Sequence, residues 1–573
     1  MSASSKKKLR KEEATAELTE KQLAEKKESR KMKVYTTIFT AVLILILVVA
    51  LGTFAYKGIR SSGIMDRRTV ALTVGDHDIT SAELDYFYVD AINDTYRKWT
   101  DSFGDQTGFV LRFQYNLDLS RPLSQQIQDE STNKTWADYF VDMAVENAKS
   151  TYGLIDEATA NGFALPEDQI ENIDTTLDNM EVMATKIQGF KNMKAFLKSR
   201  YGNGAQEDSF RTYCIDTAMA AAYDAKYVGD LSYTADDIKN YDNENAADMN
   251  VYSYSTYFVP VDKFMPEGTK DEEGNVTYTD EETAEAEAAA KKASEDLITR
   301  CEGQFKVLHS SDPKNLTSRV MDACISLMDI NKGLQDEKST YTENKMGSGI
   351  SDPLHDWITD SSRKLGDITL IPRTASKYNE AGELEEFLAG YYVVAFESVG
   401  DNRISLPDVR HILFKFEGGT TDTQGNTTYT DEEKAAAKEK AEQALADWKA
   451  GEATEDSFAA MATEKSQDPG SAENGGLYTA ILPGQMIETF DAWCFDEARK
   501  AGDTGIVETP YGYHVMFYSA AGDTNYRDYL IERQLRSDDA QQWFTDLMAR
   551  TQAEVKNTSY LQRDIMISNP NQM

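Results

Sequence analysis

Cysteine and histidine are scarce in this chain, with four and five residues respectively among 573. The cysteines stand at 214, 301, 324 and 494, without C-x-x-C spacing or a nearby histidine cluster, so neither a zinc centre nor a disulfide scaffold is indicated. A single bridge stays open on these residues alone. Positive charge is also short: 60 Lys and Arg face 97 Asp and Glu, a net charge of −37. Residues 1–33 hold 11 basic and 6 acidic residues, a net of +5, which leaves −42 for residues 34–573. So acidic a body is a poor partner for duplex nucleic acid or an anionic lipid surface. One apolar run stands out: 34–56 carries no charge over 23 positions, enough to cross a bilayer as a helix at about 1.5 Å per residue. The basic excess before it predicts a cytoplasmic 1–33, a membrane-spanning 34–56 and an exterior bulk. Cleavage of a signal peptide after T-F-A at 53–55 is the other reading, and 33 preceding residues are long for one.

The length allows three or four domains of ordinary size. V-A-L-T-V-G-D-H-D-I-T-S-A-E-L-D-Y-F at 70–87 reads as a strand, a turn through Gly75, a second strand and a helix capped by Thr80 or Ser81. From there to about 245 the pattern is helical, with three-to-four-residue apolar periodicity in 137–148 and 208–223. Residues 529–536 and 540–555 predict a further amphipathic helix near the other end, and the final residues a frayed tail. D-E-E-G-N at 271–275 and D-T-Q-G-N at 422–426 have a superficial likeness to calcium loops, but their glycine is fourth rather than sixth, so both read as turns. No metal and no cofactor is expected.

Two of the five histidines lie in strand-like runs of the last third, R-H-I-L-F at 410–414 and Y-G-Y-H-V-M-F-Y at 511–518. Between them come S-Q-D-P-G-S-A-E-N-G-G at 466–476 and P-G-Q-M-I-E-T-F at 483–490. In order and spacing these motifs resemble the parvulin-type peptidyl-prolyl isomerases, and the exterior region as a whole resembles foldases of the PrsA and SurA kind. The resemblance implies a dyad of His411 and His514 on neighbouring strands, with Asp468 and Thr509 beside it as catalytic residues. It implies a proline pocket of Met486, Phe490 and Leu477. Each residue also has a plain alternative: core histidines, a helix face for the pair four apart, a turn at Asp468-Pro469-Gly470, and a strand end at Thr509 before Pro510. The run G-G-L-Y-T-A-I-L at 475–482 departs from the G-G-D-L-G-W-F of the family, and the loop after His411 lacks the basic cluster of phosphate-directed members.

An internal repeat accompanies these motifs. G-N-V-T-Y-T-D-E-E at 274–282 matches G-N-T-T-Y-T-D-E-E at 425–433, W-I-T-D-S-S-R-K-L-G-D at 357–367 matches W-C-F-D-E-A-R-K-A-G-D at 493–503, and G-Y-Y-V-V-A-F at 390–396 matches G-Y-H-V-M-F-Y at 512–518. Setting S-T-Y-F (255–258) against H-I-L-F (411–414) puts Ser255 opposite His411, and the third match puts Tyr392 opposite His514. Ile350 and Leu354 fall opposite Met486 and Phe490. The first copy lacks both histidines and reads as a non-catalytic module.

The expectation is therefore an α+β multidomain chain: a cytoplasmic segment 1–33, a transmembrane helix 34–56, a helical chaperone lobe 68–245 completed by a C-terminal helix in 525–573, and two parvulin-like α+β domains. The domain at 250–400 is degenerate and that at 405–520 an isomerase, each a small antiparallel sheet flanked by helices. Implied partners are unfolded or partly folded secreted polypeptides containing proline, and the membrane through one helix. Nucleic acid is not among them, and a homo-oligomer stays open. The rival reading is a holdase or scaffold whose two parvulin-like units only grip peptide.

Overall fold

The computed structural model describes residues 57–567 except 271–275, 306–315, 327–340, 379–383 and 423, with a few short stretches of the first 56. The apolar run 34–56 falls mostly outside the described residues, and among those described no helix is long and apolar enough to cross a membrane. The chain is mixed α+β, built of small antiparallel sheets and helices. It divides into two units: Met1–Leu231 with Asp538–Met573, and Ser232–Ser537.

In the first unit, β1 (Val70–Val74) and β2 (His77–Thr80) form a hairpin through Gly75, whose φ of 53° lies in the left-handed region that glycine tolerates. Thr80 then caps α1 (Ser81–Phe103): its Oγ1 accepts the Glu83 N–H, and the Glu83 carboxylate accepts the Thr80 N–H at 2.8 Å. This reciprocal cap is worth about 1 kcal/mol. α1 buries Leu84, Tyr88 and Ile92 in one core with Phe140, Ala144 and Ala148 of α2 (Trp136–Ala160) and Phe210 of α3 (Glu207–Asp230). Both ends of the chain supply this unit. Trp543 stacks on Tyr227 with ring centres 3.8 Å apart and donates to Glu157 at 2.9 Å, while Leu547 packs with Leu154 and Ala158. Strand Ala553–Val555 pairs antiparallel with β1, Leu72 opposite Val555, so β1 has partners on both edges. Leu561 and Ile567 finish the core.

The second unit holds two four-stranded antiparallel sheets. The first uses β3 (Val251–Pro260), β4 (Tyr341–Met346), β5 (Ile368–Tyr378) and β6 (Leu384–Gly400), in the order β4-β3-β6-β5. The second uses β7 (Ser405–Lys415), β8 (Leu477–Tyr478), β9 (Thr504–Thr509) and β10 (Gly512–Asn525), in the order β8-β7-β10-β9. Both orders are second-first-fourth-third along the chain. The duplicated T-D-E-E motifs become matching helix caps. Thr279 and Glu282 bond reciprocally at the start of a helix Asp280–Phe305, as Thr430 and Glu433 do before α4 (Asp431–Ala450). One face of each sheet packs under these helices: Tyr257, Val259 and Val393 in the first, Ile412, Phe414 and Val515 in the second. The other face meets Ile350, Leu354 and Ile358 in the first, and Phe490, Trp493 and Cys494 in the second.

These faces correct one alignment. Ser255 lies on the helix side and bonds Thr317 at 2.9 Å, whereas His411 lies on the opposite side of its sheet. Thr256 pairs with Val394 as His411 pairs with Met516, so Thr256 stands in the position of His411. Tyr392 remains the counterpart of His514. The four cysteines are free.

Within this unit the buried Arg527 gathers three chain segments. It donates to Asp242 at 2.5 Å, Asn250 at 2.8 Å, the Asp401 carbonyl at 2.9 Å and the Ala246 carbonyl at 3.3 Å. It thus ties the approach to β3, the link between the two sheets, and the helix that follows β10.

Candidate active site

His411 on β7 and His514 on β10 face each other across the two central strands of the second sheet. Their Nδ1 atoms are 2.9 Å apart, and the side chains belong to residues only 2% and 6% exposed. Outward from His411, Nε2 lies 3.0 Å from Asp468 Oδ2 and 3.0 Å from Ser471 Oγ. Outward from His514, Nε2 lies 2.9 Å from Thr509 Oγ1. The chain Asp468, His411, His514, Thr509 is continuous.

Local structure holds each end. A loop after α5 (Glu455–Lys465) is pinned to β7: Ser466 Oγ accepts the Leu413 N–H at 3.1 Å, and the Gln467 N–H bonds the Leu413 carbonyl at 2.9 Å. Asp468 follows directly, so its carboxylate meets His411. At the other end the turn between β9 and β10 brings the Tyr511 N–H to Thr509 Oγ1 at 3.2 Å. Gly512 makes that turn possible, because a Cβ there would sit 2.1 Å from the Phe414 carbonyl oxygen. Gly476 likewise lets β8 close on β7, where a Cβ would lie 2.2 Å from the His411 carbonyl oxygen.

The hydrogen bond from His411 holds Asp468 well below the usual carboxylate range, helped by Ser471 and the Gly470 N–H against the opposing effect of burial. Burial, and next the neighbouring His411, push His514 down to about 3. With Asp468 ionised, Nε2 of His411 must carry a proton. When His411 carries only that proton, its Nδ1 accepts from His514, which in turn accepts at Nε2 from the Thr509 hydroxyl. Thr509 accepts from Tyr511. In this arrangement each ring N–H of the dyad has an acceptor within 3.0 Å.

Phe490, on α6 (Glu488–Cys494), stands edge-on to both imidazoles, 5.4 Å from each at 84° and 85°. It is only 4% exposed, packed with Val409, Trp493 and Met516. The expected open pocket wall therefore fits Met486, which is partly buried against the same cluster, better than Phe490, which supports the imidazoles from inside. Leu477 is not brought to the site. It pairs with Arg410, whose side chain turns away to Glu455, so the register sets Leu477 on the sheet face opposite His411. Its neighbour Tyr478 takes the inner position, with its ring 5.4 Å from His411 and its hydroxyl 3.0 Å from Asp468 Oδ2. Tyr478 and Ser471 are the site members that sequence reasoning missed. The alternation of a two-residue strand beside Gly475-Gly476, and the spacing Asp468-x-x-Ser471, are the signals that carried them.

Residues 411–519 match the family model of the rotamase, PPIC-type PPIASE domain. Foldase protein PrsA 3 of Bacillus cereus is 29% identical over 105 residues, 18% of this chain and 36% of that protein. The match thus spans about a third of the length of this curated relative. Among solved structures, PrsA from Bacillus cereus aligns at 17% identity over 50% of this chain and 90% of its own, with a TM-score of 0.19. The PPIase domain of TbPar42 aligns at 24% identity over 20% of this chain and 98% of its own, with a TM-score of 0.16.

Proposed function

We propose, from the premise that residues 411–519 are a PPIC-type PPIase domain, that this chain is a membrane-anchored extracytoplasmic foldase. It catalyses cis-trans isomerisation of Xaa-Pro bonds in secreted proteins through 405–520 and holds unfolded segments on a helical lobe of the PrsA and SurA kind, built from 68–245 and the C-terminal helix. The 34–56 run is its anchor, with 1–33 in the cytoplasm, and the 250–400 module is non-catalytic. The observation that carries the reading is the buried dyad of His411 and His514, fixed at its ends by Asp468 and Thr509 and from below by Phe490.

The chemistry asks little of these groups. Rotation about an Xaa-Pro bond must overcome a barrier of about 18 to 20 kcal/mol that comes from amide resonance. No bond is made or broken. The planar amide is more dipolar than the twisted one, so a cleft with an apolar wall at Met486 raises the planar form relative to the twisted form by excluding water. Each tenfold acceleration requires about 1.4 kcal/mol of that difference. An ionised Asp468, bonded to His411, Ser471 and Tyr478, polarises the chain without attacking it.

One observation favours a second reading, a holdase that grips peptide without turning it over: Tyr478 stacks on His411, which leaves that imidazole almost wholly covered. The decisive experiment is exchange spectroscopy of an unphosphorylated Xaa-Pro peptide with the full chain and its His411→Ala and His514→Ala variants. Acceleration that falls at least tenfold in both variants supports the isomerase. A parent chain that leaves the exchange rate unchanged while still binding the peptide overturns it in favour of the holdase.

A further inference from the structure

The departure at 475–482 puts a tyrosine in the inner position of β8, and three observations tie it to the dyad. Its ring lies against the imidazole of His411 at 26°. Its hydroxyl donates to the same oxygen, Asp468 Oδ2, that receives His411 Nε2 and the 2.6 Å bond from Ser471. Its strand is brought within bonding distance of β7 by Gly476, through the His411 N–H to the Gly476 carbonyl at 2.9 Å. We propose that Tyr478 is a positioning residue for the isomerase: with Ser471 it clamps the Asp468 carboxylate and so sets the direction of the proton chain through His411 and His514. This rests on the isomerase reading of the same site.

The physical case is one of saturation. Asp468 Oδ1 accepts the Gly470 N–H at 3.3 Å, and Oδ2 takes three donors. Oδ2 bonded in this way has no lone pair left to act as a base toward substrate, and rotation about the Cβ–Cγ bond would break bonds at both oxygens. Toward His411 it can only accept. The direction of the chain then follows, because an imidazole that donates at Nε2 and is neutral must accept at Nδ1. The titratable groups that bear on this carboxylate are His411 from β7 and Tyr478 from β8, with His514 of β10 behind His411. Without the Tyr478 hydroxyl, Oδ2 keeps two donors and the carboxylate regains freedom to turn toward the cleft. Both directions of the chain then become accessible.

The test uses the full chain with 15N-labelled histidine, whose five imidazoles give a sparse spectrum. In the parent protein both dyad members are expected in single, unaveraged states, with a proton on His411 Nε2 and one on His514 Nδ1. In Tyr478→Phe, which keeps the stacked ring, the two resonances are expected to move toward averaged tautomer values. The peptide kcat is expected to fall three- to tenfold with KM within twofold. Ser471→Ala is expected to move the same tautomer signals in the same sense. Unchanged tautomer signals in Tyr478→Phe overturn the proposal whatever the activity. A parent chain inert toward Xaa-Pro peptide sinks the isomerase reading instead, and the spectrum still decides whether Tyr478 directs the chain.

Discussion

Acid should destabilise the second sheet before it touches any carboxylate in the site, and His514 is the reason. In the unfolded chain this imidazole binds a proton at about 6.5, whereas burial beside His411 lowers its folded value to about 3. A group depressed on folding contributes stability above its unfolded value and loses it as pH falls, since only the unfolded state takes up the proton. At pH 4.5 the unfolded form has two pH units of driving force and the folded form remains neutral, a loss of about 2 to 3 kcal/mol relative to pH 7. Asp468 is depressed too, so its contribution is intact above about 3.8 and lost only as pH falls toward its lower folded value. The interval from 6.5 to about 4 therefore separates the contribution of His514 from that of Asp468. Amide exchange at 512–518 on β10 and at 409–414 on β7, measured at pH 7 and 4.5, should show protection falling by one to two orders of magnitude beyond the intrinsic pH effect. The His514 Cε1 proton shift should stay flat over the same range. If His514 instead titrates near 6.5 while protection is unchanged, the imidazole is solvated in the native state and the proton chain drawn through it is wrong.

Phe490→Ala should cost about 3 to 5 kcal/mol in unfolding free energy, because the ring is enclosed by two imidazoles and a packed cluster. Met486→Ala should leave the urea midpoint nearly unchanged and raise the peptide KM several-fold, and the reverse pattern would exchange the roles of the two residues. Arg527→Ala should destabilise the second unit by about 3 to 5 kcal/mol, since it strands the buried side of Asp242. Faster amide exchange in 242–250 would report it, and unchanged exchange would show that Arg403, which also pairs with Asp242, suffices for that carboxylate. Deleting 529–573 should raise exchange throughout 70–245 by removing Trp543, Leu547 and the strand beside β1. Unchanged protection there would mean that these contacts add nothing to the core.

Where local chemistry decides structure, the sequence was readable. Gly75, Thr80 with Glu83, and the two T-D-E-E motifs announce a turn and helix starts through side-chain groups a few residues apart, and each takes that form. His411, His514, Asp468 and Thr509 also meet as one chain, because motifs on two central strands and their bordering turns have little freedom to separate. Two misreadings share one physical origin, the period of two in a strand. Matching S-T-Y-F to H-I-L-F aligned Phe258 with Phe414, yet Phe258 packs on Tyr392 while Phe414 faces the helices, so a slip of one residue turned Ser255 to the wrong face. Leu477 failed in the same way, with Tyr478 inside in its place. Burial of Phe490 was unreadable for a different cause, since Met486-x-x-x-Phe490 describes a core face and a pocket wall equally well.

Two sheets of one strand order, adjacent in a single chain, create a hazard during synthesis: β3 has the length and direction to pair with β10, and β7 with β6. Tandem copies of one topology are prone to such misassembly. The dyad discriminates against it. In a β3–β10 pairing, Thr256 would take the place of His411, and the Nδ1 of His514 would be buried without its partner, as would His411 opposite Tyr392. A stranded buried donor or acceptor costs about 1 to 3 kcal/mol at each site, so the dyad would also proofread strand exchange between the copies. A refolding yield that falls in His411→Thr, where the two copies become alike at this position, would register that second task in a chain that never meets a substrate.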